Sequence, residues 1–356
     1  MLKQTVNHLQ NRIGYSLSKS FGPPELFYLK LTENCNFKCN HCNIWKQKSK
    51  DELDANNWEN IINNLNTHHK PQHVVLSGGE PLMHPQFWHL ISLLKNKNIG
   101  VTLNTNGSLI TKSIAKKIID HEINKVEISL YTLNSEKHDK MRNTQNAHSR
   151  ASKAIEHLIN YNQSTKKKTE LMIAYLLSNN NIDETSNFIK EYSKKKVWTS
   201  IQSLDTNIQQ LDQKNFFQNE DQFITDHPLW ISDTEKVNAV FDKLIELKNK
   251  KHLIHNRLSH LQDMRKYYLG QFMAIKKMSC YAGQKNLIIS ANGDLFYCFK
   301  GPKLGNLNER TAKEILTSDH AENVLREMKK CSRLCSIMNC NYDATLTNKI
   351  KEYIKK

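Results

Sequence analysis

Eight cysteines are the residues of this 356-residue sequence with the most chemical potential, and they fall into two groups. The first group is Cys35, Cys39 and Cys42. The second group, in the last quarter of the chain, is Cys280, Cys298, Cys331, Cys335 and Cys340. No apolar run reaches the length of a membrane span and the N-terminus has no apolar signal segment, so we expect a cytoplasmic protein with reduced thiols. Clustered thiols in a reducing compartment favour metal binding over disulfides.

The first cysteine group has the spacing Cys-x3-Cys-x2-Cys and directly follows a strand-like run at residues 26–32. Three thiolates on one loop can hold three irons of a cubane iron–sulfur cluster and leave the fourth iron open to a non-protein ligand. A structural zinc loop is the alternative, because short spacings between cysteines are also normal for zinc. Zinc would need a fourth ligand, and His41 is poorly placed between the cysteines to supply it. The spacing favours iron–sulfur and leaves zinc open.

The elements that must position these cysteines alternate regularly between strands and helices. Strand-like runs lie at residues 26–32, 73–78, 99–104, 125–131, 170–177 and 197–204. Amphipathic stretches separate them, such as residues 53–65, where Asp54 is the expected N-cap. This α/β alternation predicts a parallel sheet built as a partial (β/α)6 TIM-like barrel. Loops after the carboxyl ends of barrel strands carry the chemistry, and the first cysteine group lies on such a loop.

Three further motifs follow the next strands in order. Gly78-Gly79-Glu80-Pro81 follows the second strand, residues 104–107 (NTNG) follow the third, and Ser129 lies in the fourth, before HDKMR at residues 138–142. Together with the cysteine loop, this pattern resembles the radical S-adenosylmethionine (radical SAM) superfamily over about residues 25–200. The resemblance implies a [4Fe-4S] cluster that is held by the first three cysteines and bound with S-adenosyl-L-methionine (SAM).

The resemblance also assigns cofactor-binding roles to residues around the cysteine loop. Adjacent glycines let a backbone approach a ligand closely, so exposed amides of Gly78 and Gly79 would meet the amino and carboxylate groups of SAM. Glu80 would accept a hydrogen bond from the SAM ammonium. The cofactor-binding residues implied in this way are His41, Gly78, Gly79, Glu80, Pro81, Thr105, Ser129 and Arg142.

The resemblance implies specific contacts for three side chains outside the glycine motif. Ser129 would donate to the ribose or carboxylate of SAM. Arg142 would pair with the SAM carboxylate, since guanidinium and carboxylate form two parallel hydrogen bonds, and Arg150 is its rival for this role. His41 would touch the adenine through packing and would not bind metal.

The C-terminal cysteines flank a predicted β-hairpin at residues 285–299. Cys280 is followed by twelve residues, Gly293, four residues and Cys298. This spacing resembles the auxiliary-cluster domains of the SPASM and twitch subfamilies, and it implies that both cysteines bind an auxiliary iron–sulfur cluster.

The remaining C-terminal cysteines have the spacing Cys331-x3-Cys335-x4-Cys340, which is shorter than the full SPASM pattern. The resemblance therefore implies one auxiliary [4Fe-4S] cluster, as in twitch, with two of these three thiols as ligands. One thiol is left over as a bystander or, as in some radical SAM epimerases, as a hydrogen-atom donor. No other catalytic residue is assigned.

After the predicted barrel, the regular alternation of strands and helices ends. Residues 232–250 form a predicted amphipathic helix capped by Ser232 or Asp233, followed by helical stretches at residues 257–277 and 311–329. The expected organisation is an N-terminal arm at 1–24, a radical SAM core at 25–204, a linker and helices at 205–277, a SPASM/twitch-like Fe-S domain at 278–345 and a polar tail at 346–356.

The chain carries 51 Lys and Arg against 35 Asp and Glu, a formal net charge of +16. These basic residues lie in short runs without interleaved aromatic residues, so we expect no nucleic acid and no membrane among the partners. The charge suits an acidic leader peptide or a phosphorylated small molecule. The N-terminal arm is too short for a leader-peptide-binding domain, so we expect any such domain on a separate protein.

The resemblance implies an enzyme in which a reduced cluster cleaves SAM to a 5′-deoxyadenosyl radical, which abstracts a hydrogen atom from a substrate C–H bond. A flavodoxin or ferredoxin would be the reductant, and the auxiliary cluster would assist. The substrate would be a ribosomal peptide, undergoing maturation or epimerisation, or a small biosynthetic metabolite. The alternatives are a tRNA-modifying radical SAM enzyme and a non-catalytic Fe-S or electron-transfer protein.

Overall fold

The computed structural model describes residues 10, 12–17, 24–47, 51–68, 71–205 and 224–342. Most of the polar segment between residues 205 and 232, and the whole polar tail, lie outside the described residues. None of the described helices is long and apolar enough to cross a membrane.

Nine described strands form one sheet in the order β6-β5-β4-β3-β2-β1-β7-β8-β9. The strands are β1 (Leu26–Thr32), β2 (His73–Gly78), β3 (Gly100–Thr105), β4 (Lys125–Ser129), β5 (Glu170–Leu176), β6 (Trp198–Gln202), β7 (Asn286–Ile289), β8 (Asp294–Phe296) and β9 (Gly305–Asn306). Strands β1 to β6 pair in parallel with their neighbours in sequence. The predicted parallel α/β core is confirmed.

Besides a helical segment at residues 12–17, twelve α-helices with described bounds accompany the sheet. They are α1 (Ala55–His68), α2 (Phe87–Asn96), α3 (Lys112–Asp120), α4 (Ser135–Arg142), α5 (Ala147–Ser164), α6 (Thr185–Lys194), α7 (Thr234–Asn249), α8 (Leu258–Tyr268), α9 (Phe272–Lys276), α10 (Ala282–Lys285), α11 (Ala312–Leu316) and α12 (Asp319–Met328). One helix follows each of β1, β2, β3 and β5, two follow β4, and the rest follow β6.

Capping side chains explain where several helices begin. The carboxylate of Asp54 accepts a hydrogen bond from the Asn57 amide at 2.8 Å, so the predicted cap of α1 is confirmed. At α7 the cap is Asp233, whose carboxylate accepts from the Lys236 amide at 3.0 Å, and not Ser232.

Two stretches that were each expected to be one helix are divided. The stretch at 257–277 separates into α8 and α9 around Gly270, whose φ of +72° is incompatible with a continuous right-handed helix. The stretch at 311–329 separates into α11 and α12 because Ser318 caps a second start with its hydroxyl.

The two faces of the sheet differ in character, as β4 illustrates. Val126 and Ile128 are buried in the main core on the helix side, whereas Lys125, Glu127 and Ser129 alternate with them and are only partly buried. The outward face thus holds the protein together, and the inner face carries polar side chains around the space inside the barrel.

The C-terminal hairpin extends the sheet of the core. Strand β7 pairs in parallel with β1, from Leu26 opposite Asn286 to Leu29 opposite Ile289, and β8 then pairs antiparallel with β7. The expected domain boundary near residue 278 stays a prediction, since elements on both sides of it share one sheet and one apolar core.

Helix α7 belongs to this common core, although it lies in the segment predicted to hold a linker. Phe241 is fully buried, with its ring centroid 6.2 Å from that of Tyr268 in α8. We predict that Phe241→Ala lowers the free energy of unfolding by about 3–5 kcal/mol, because a large buried ring leaves a cavity. Urea unfolding followed by circular dichroism measures this change.

Met273→Ala is the matched control, since the Met273 side chain is 67% exposed and its removal should change stability by no more than about 0.5 kcal/mol. Equal effects of the two substitutions would contradict the placement of α7 in the shared core.

Candidate active site

The cysteine loop begins at the carboxyl end of β1 and is anchored there by Glu52. The Glu52 carboxylate accepts hydrogen bonds from the Thr32 hydroxyl at 2.8 Å and from the Glu33 amide at 2.7 Å. It also accepts from the Asn34 side chain at 3.3 Å. Sequence reasoning missed Glu52, because it lies in no motif and ten residues after the last cysteine of the loop.

The glycine motif after β2 forms backbone hydrogen bonds with the start of the cysteine loop. The Gly79 amide donates to the Thr32 carbonyl at 2.7 Å, and the Glu80 amide donates to the Asn34 carbonyl at 2.8 Å. A Cβ atom on Gly79 would lie 2.1 Å from the Asn34 carbonyl oxygen, so only glycine permits this approach. The expectation that the Gly79 amide is exposed to SAM is wrong, because Thr32 already accepts its hydrogen bond. Binding of SAM by Gly78 and Pro81 stays a prediction.

Glu80 joins the glycine motif to the loop after β3. Its carboxylate is fully buried and accepts from the Thr105 hydroxyl at 2.7 Å, the Asn106 amide at 2.8 Å and the Leu82 amide at 3.3 Å. Burial raises the pKa of Glu80, and these hydrogen bonds oppose the shift. The oxygen bonded to Asn106 can accept a second donor, so the predicted contact with the SAM ammonium stays a prediction.

The loop after β3 returns to the cysteine loop through two amide side chains. The Asn106 side chain donates to that of Asn36 at 2.8 Å, and Asn36 donates to the Ser108 hydroxyl at 2.8 Å. The cysteine loop, the glycine motif and the NTNG loop are therefore one hydrogen-bonded unit.

The three thiols of the first group surround one apolar contact. Cys39 is buried and packs with Phe37 and Ala147, while Cys35 and Cys42 pack against them and are half-buried. Burial raises the pKa of Cys39 to about 11, and the nearby Arg142 charge opposes this shift. These thiols are soft donors, which suit an iron–sulfur cluster.

Within the described part of the chain, no three His, Cys, Asp or Glu side chains lie close enough to bind one metal ion together. A structural zinc site needs its ligands to converge on a single ion. The thiolates of a cubane cluster do not converge, because each binds a different iron. Three thiols on one loop agree with a cubane cluster that has one open iron.

Arg142 lies beside the thiols, buried at the end of α4. Its guanidinium donates to the Tyr131 hydroxyl at 2.7 Å and lies 5.2 Å from the ring centroids of both Phe37 and Tyr131. Its Nε is buried without a hydrogen-bond partner, which leaves one donor for a ligand such as the SAM carboxylate. Its rival Arg150 donates instead to the backbone carbonyls of Asn146 and Gln145.

Tyr131, which sequence reasoning missed, connects several predicted site residues. Its hydroxyl receives a hydrogen bond from Arg142, lies 3.2 Å from Nε2 of His41 and also bonds Ser129. Burial, with the charge of Arg142 as a smaller cause, lowers the pKa of His41 to about 3. The ring is thus neutral, in agreement with packing and not with a charged role.

The cysteines of the second group gather around Cys280 and Cys298 beside the β7–β8 hairpin. Burial raises the pKa of Cys280 to about 11 and those of Cys298 and Cys340 to about 12. The thiols of Cys331, Cys335 and Cys340 each interact electrostatically with at least one of this central pair. All five thiols are thus brought together, and which four bind the cluster stays a prediction.

A buried ion pair lies beside these thiols. The Lys300 ammonium is 2.6 Å from the Asp205 carboxylate, and the two side chains are only 4% and 15% exposed. Lys300 lowers and Asp205 raises the pKa of Cys335, although burial has the larger effect and raises it well above its usual value. This pair joins the end of the barrel to the second cysteine group, and no sequence motif pointed to it.

Comparison with known families decides between the remaining readings of the two cysteine groups. Residues 29–190 match the radical SAM superfamily, and residues 280–341 match SPASM, an iron–sulfur cluster-binding domain. The chain thus contains a radical SAM region followed by a SPASM region. Its cofactors are accordingly a [4Fe-4S] cluster that binds SAM and an auxiliary iron–sulfur cluster.

Two curated relatives illustrate how far the similarity extends. The mycofactocin maturase MftC of Mycolicibacterium smegmatis is 28% identical over 178 residues, which are 50% of this chain and 44% of the relative. The AdoMet-dependent heme synthase of Methanosarcina barkeri is 31% identical over 135 residues, 37% of this chain and 38% of the relative. The chain thus spans less than half the length of these relatives.

Two solved structures share the fold over almost the whole chain. Streptococcus suis SuiB bound to its precursor peptide SuiA aligns with a TM-score of 0.65 at 14% identity, covering 93% of this chain and 75% of SuiB. The anSMEcpe structure with bound AdoMet aligns with a TM-score of 0.62 at 17% identity, covering 94% and 96%. At these identities the likeness extends to the fold alone.

We predict that Gly79→Ala displaces the cysteine loop, because its Cβ would overlap the Asn34 carbonyl. After anaerobic reconstitution the variant should lose most of the iron of the first cluster, about four irons per chain. Gly301→Ala is the control, since its Cβ would meet only ordinary contacts at 3.5 Å. Full iron binding by Gly79→Ala would contradict the proposed fit of the two loops.

A second prediction concerns acid stability. His138 is fully buried, its Nδ1 accepts from the Tyr131 amide at 3.3 Å, and burial, aided by Arg142, lowers its pKa to about 2. The unfolded chain binds a proton below pH 6.5 that the folded chain does not, so stability falls with pH from about 6.5 toward 2.

His138→Phe should lose this contribution, which approaches about 1.4 kcal/mol per pH unit. Unfolding free energies of the wild type and the variant, measured between pH 7 and pH 5.5, give the difference in slope. Parallel slopes would show that His138 is not held neutral by the fold.

Proposed function

We propose that this chain is a radical SAM enzyme that abstracts a hydrogen atom from a substrate C–H bond. The observation that carries the proposal is the single hydrogen-bonded unit of the cysteine loop, the glycine motif and the NTNG loop at the carboxyl edge of the sheet. A unit of this kind holds a cofactor in one orientation against the inner face of the barrel.

When bound and reduced, the cluster supplies the electron that cleaves SAM to methionine and a 5′-deoxyadenosyl radical, the species that removes the hydrogen atom. Cys35, Cys39 and Cys42 would hold this cluster. The chain's own part is to bind, orient and shield: Arg142 holds the SAM carboxylate through its free Nε, and Glu80 accepts from the ammonium.

Around the cofactor, Tyr131 fixes the position of Arg142, His41 and Ser129 through its hydroxyl. The neutral His41 ring packs on the adenine, and Ser129 donates to the ribose. A reducing compartment such as the cytoplasm and a flavodoxin or ferredoxin reductant complete the proposal.

The substrate is a ribosomal peptide or a small biosynthetic metabolite. The maturase among the relatives supports the peptide, and the heme synthase supports the metabolite. The net charge of +16 suits an acidic leader peptide or a phosphorylated metabolite equally.

The first test is iron, sulfide and 5′-deoxyadenosine after anaerobic reconstitution with SAM and dithionite. We predict about eight irons per chain, the content of two [4Fe-4S] clusters, and formation of 5′-deoxyadenosine. Cys39→Ala should lose about four irons and all 5′-deoxyadenosine, because it removes a ligand of the SAM-binding cluster. Zinc in the first site, or 5′-deoxyadenosine formation by Cys39→Ala, would refute the proposal.

Cys298→Ala is the matched variant at the second site and should lose the auxiliary cluster while retaining the first. Cys331, Cys335 and Cys340 are each replaced by alanine in a separate variant. Two of these variants should lose the auxiliary cluster, and the variant that keeps it identifies the spare thiol. If that variant still turns over substrate fully, the spare thiol is no hydrogen-atom donor.

A further inference from the structure

At one level of the inner sheet face lie Asn104, whose Oδ1 has no hydrogen-bond partner, and Glu127, whose carboxylate has one weak hydrogen bond. The strand register places Lys30 beside Ser77, Asn104 beside Glu127, and Glu127 beside Met172. This level lies one pleat below the carboxyl edge, on the side of the sheet toward which Ser129 also points.

Asn104 is the clearest case of a missing partner. Its Oδ1 is excluded from solvent and makes no hydrogen bond with any described residue. Buried polar atoms in native proteins almost always have a partner, so an orphaned acceptor on the inner face of the sheet indicates a site for a donor from a ligand.

Glu127 adds a charge beside this acceptor. Its carboxylate has one weak hydrogen bond, from the Gln202 side chain at 3.4 Å. The Lys125 ammonium on the same strand lies 2.8 Å from the Glu170 carboxylate. Burial raises the pKa of Glu127, and Lys125 and the Gln202 hydrogen bond oppose the shift.

Glu127 is less buried than its outward-facing neighbours on the same strand. Along β4 the outward-facing Val126 and Ile128 are fully buried, whereas Glu127 retains some exposure although it lies on a central strand. It also interacts electrostatically with Tyr28 on the inner face of β1, so its carboxylate faces the barrel interior.

Lys30, the other charge at this level, belongs to the cofactor side. Burial is the main cause that lowers its pKa, and the charges of Glu33 and Cys42 in the cysteine loop oppose the shift. The charge of Lys30 is thus coupled to the cysteine loop.

Building on the proposed function, we propose that Glu127 and Asn104 form a binding site for a protonated primary amine of the substrate. Two adjacent acceptors, one of them charged, complement an ammonium group with its three donors. The amine would anchor the substrate below SAM and so select which C–H bond faces the cofactor.

The test uses the full chain with both clusters and SAM, and n-butylammonium chloride as the probe in anaerobic calorimetry. Wild type should bind the probe at least about tenfold more tightly than its neutral isostere 1-butanol and than sodium pentanoate. Glu127→Gln should remove this preference. Glu156→Gln, the same charge change at an exposed position on α5, should keep it.

Equal binding of the ammonium and the alcohol by wild type, or an unchanged preference in Glu127→Gln, would overturn the amine site. Asn104→Ala, a second variant that leaves the charge in place, should weaken probe binding about threefold, and an unchanged affinity would remove Asn104 from the site. Formation of 5′-deoxyadenosine without substrate reports on the proposed function separately. Its presence without probe selectivity refutes only the amine site, and its absence refutes the proposed function.

Discussion

Two backbone hydrogen bonds, from the amides of Gly79 and Glu80 to the carbonyls of Thr32 and Asn34, are the contact on which the site depends. They join the end of the second strand to the start of the cysteine loop at a distance that no side chain on Gly79 would allow. Because the Glu80 carboxylate then binds the NTNG loop, the position of three loops follows from one close approach. The glycine motif therefore positions the cysteine loop, and the cysteine loop in turn positions the cofactor.

The two faces of the sheet have different roles. Many outward-facing residues of the strands are apolar and buried under the helices, and they supply the main apolar core. The inner face also holds polar groups such as Glu127 and Asn104, whose burial with few hydrogen-bond partners costs stability. Helices α7 and α8 belong to the same core, which explains why the region after β6 packs as part of the barrel wall.

Much of this arrangement could be predicted because it depends on residues that are close together in the sequence. Strand and helix alternation gave the parallel core, and the order of the cysteine, glycine and NTNG motifs gave the family and the first site. Glu52, Tyr131 and the Lys300–Asp205 pair could not be predicted, because each acts through a contact between distant parts of the chain. The pairing of β7 with β1 was missed for the same reason, and the exposed role of the Gly79 amide was wrong because spacing does not reveal a competing carbonyl.

The pairing of β7 with β1 has a consequence for the order in which the protein can be completed. Strand β1 precedes the other described strands, and one of its edges pairs with Asn286–Ile289, which are made after all six strands of the parallel core. Until then that edge presents unpaired amides and carbonyls to any other strand. The nascent core is therefore open to pairing with neighbouring chains until β7 is made, and β7 then covers that edge.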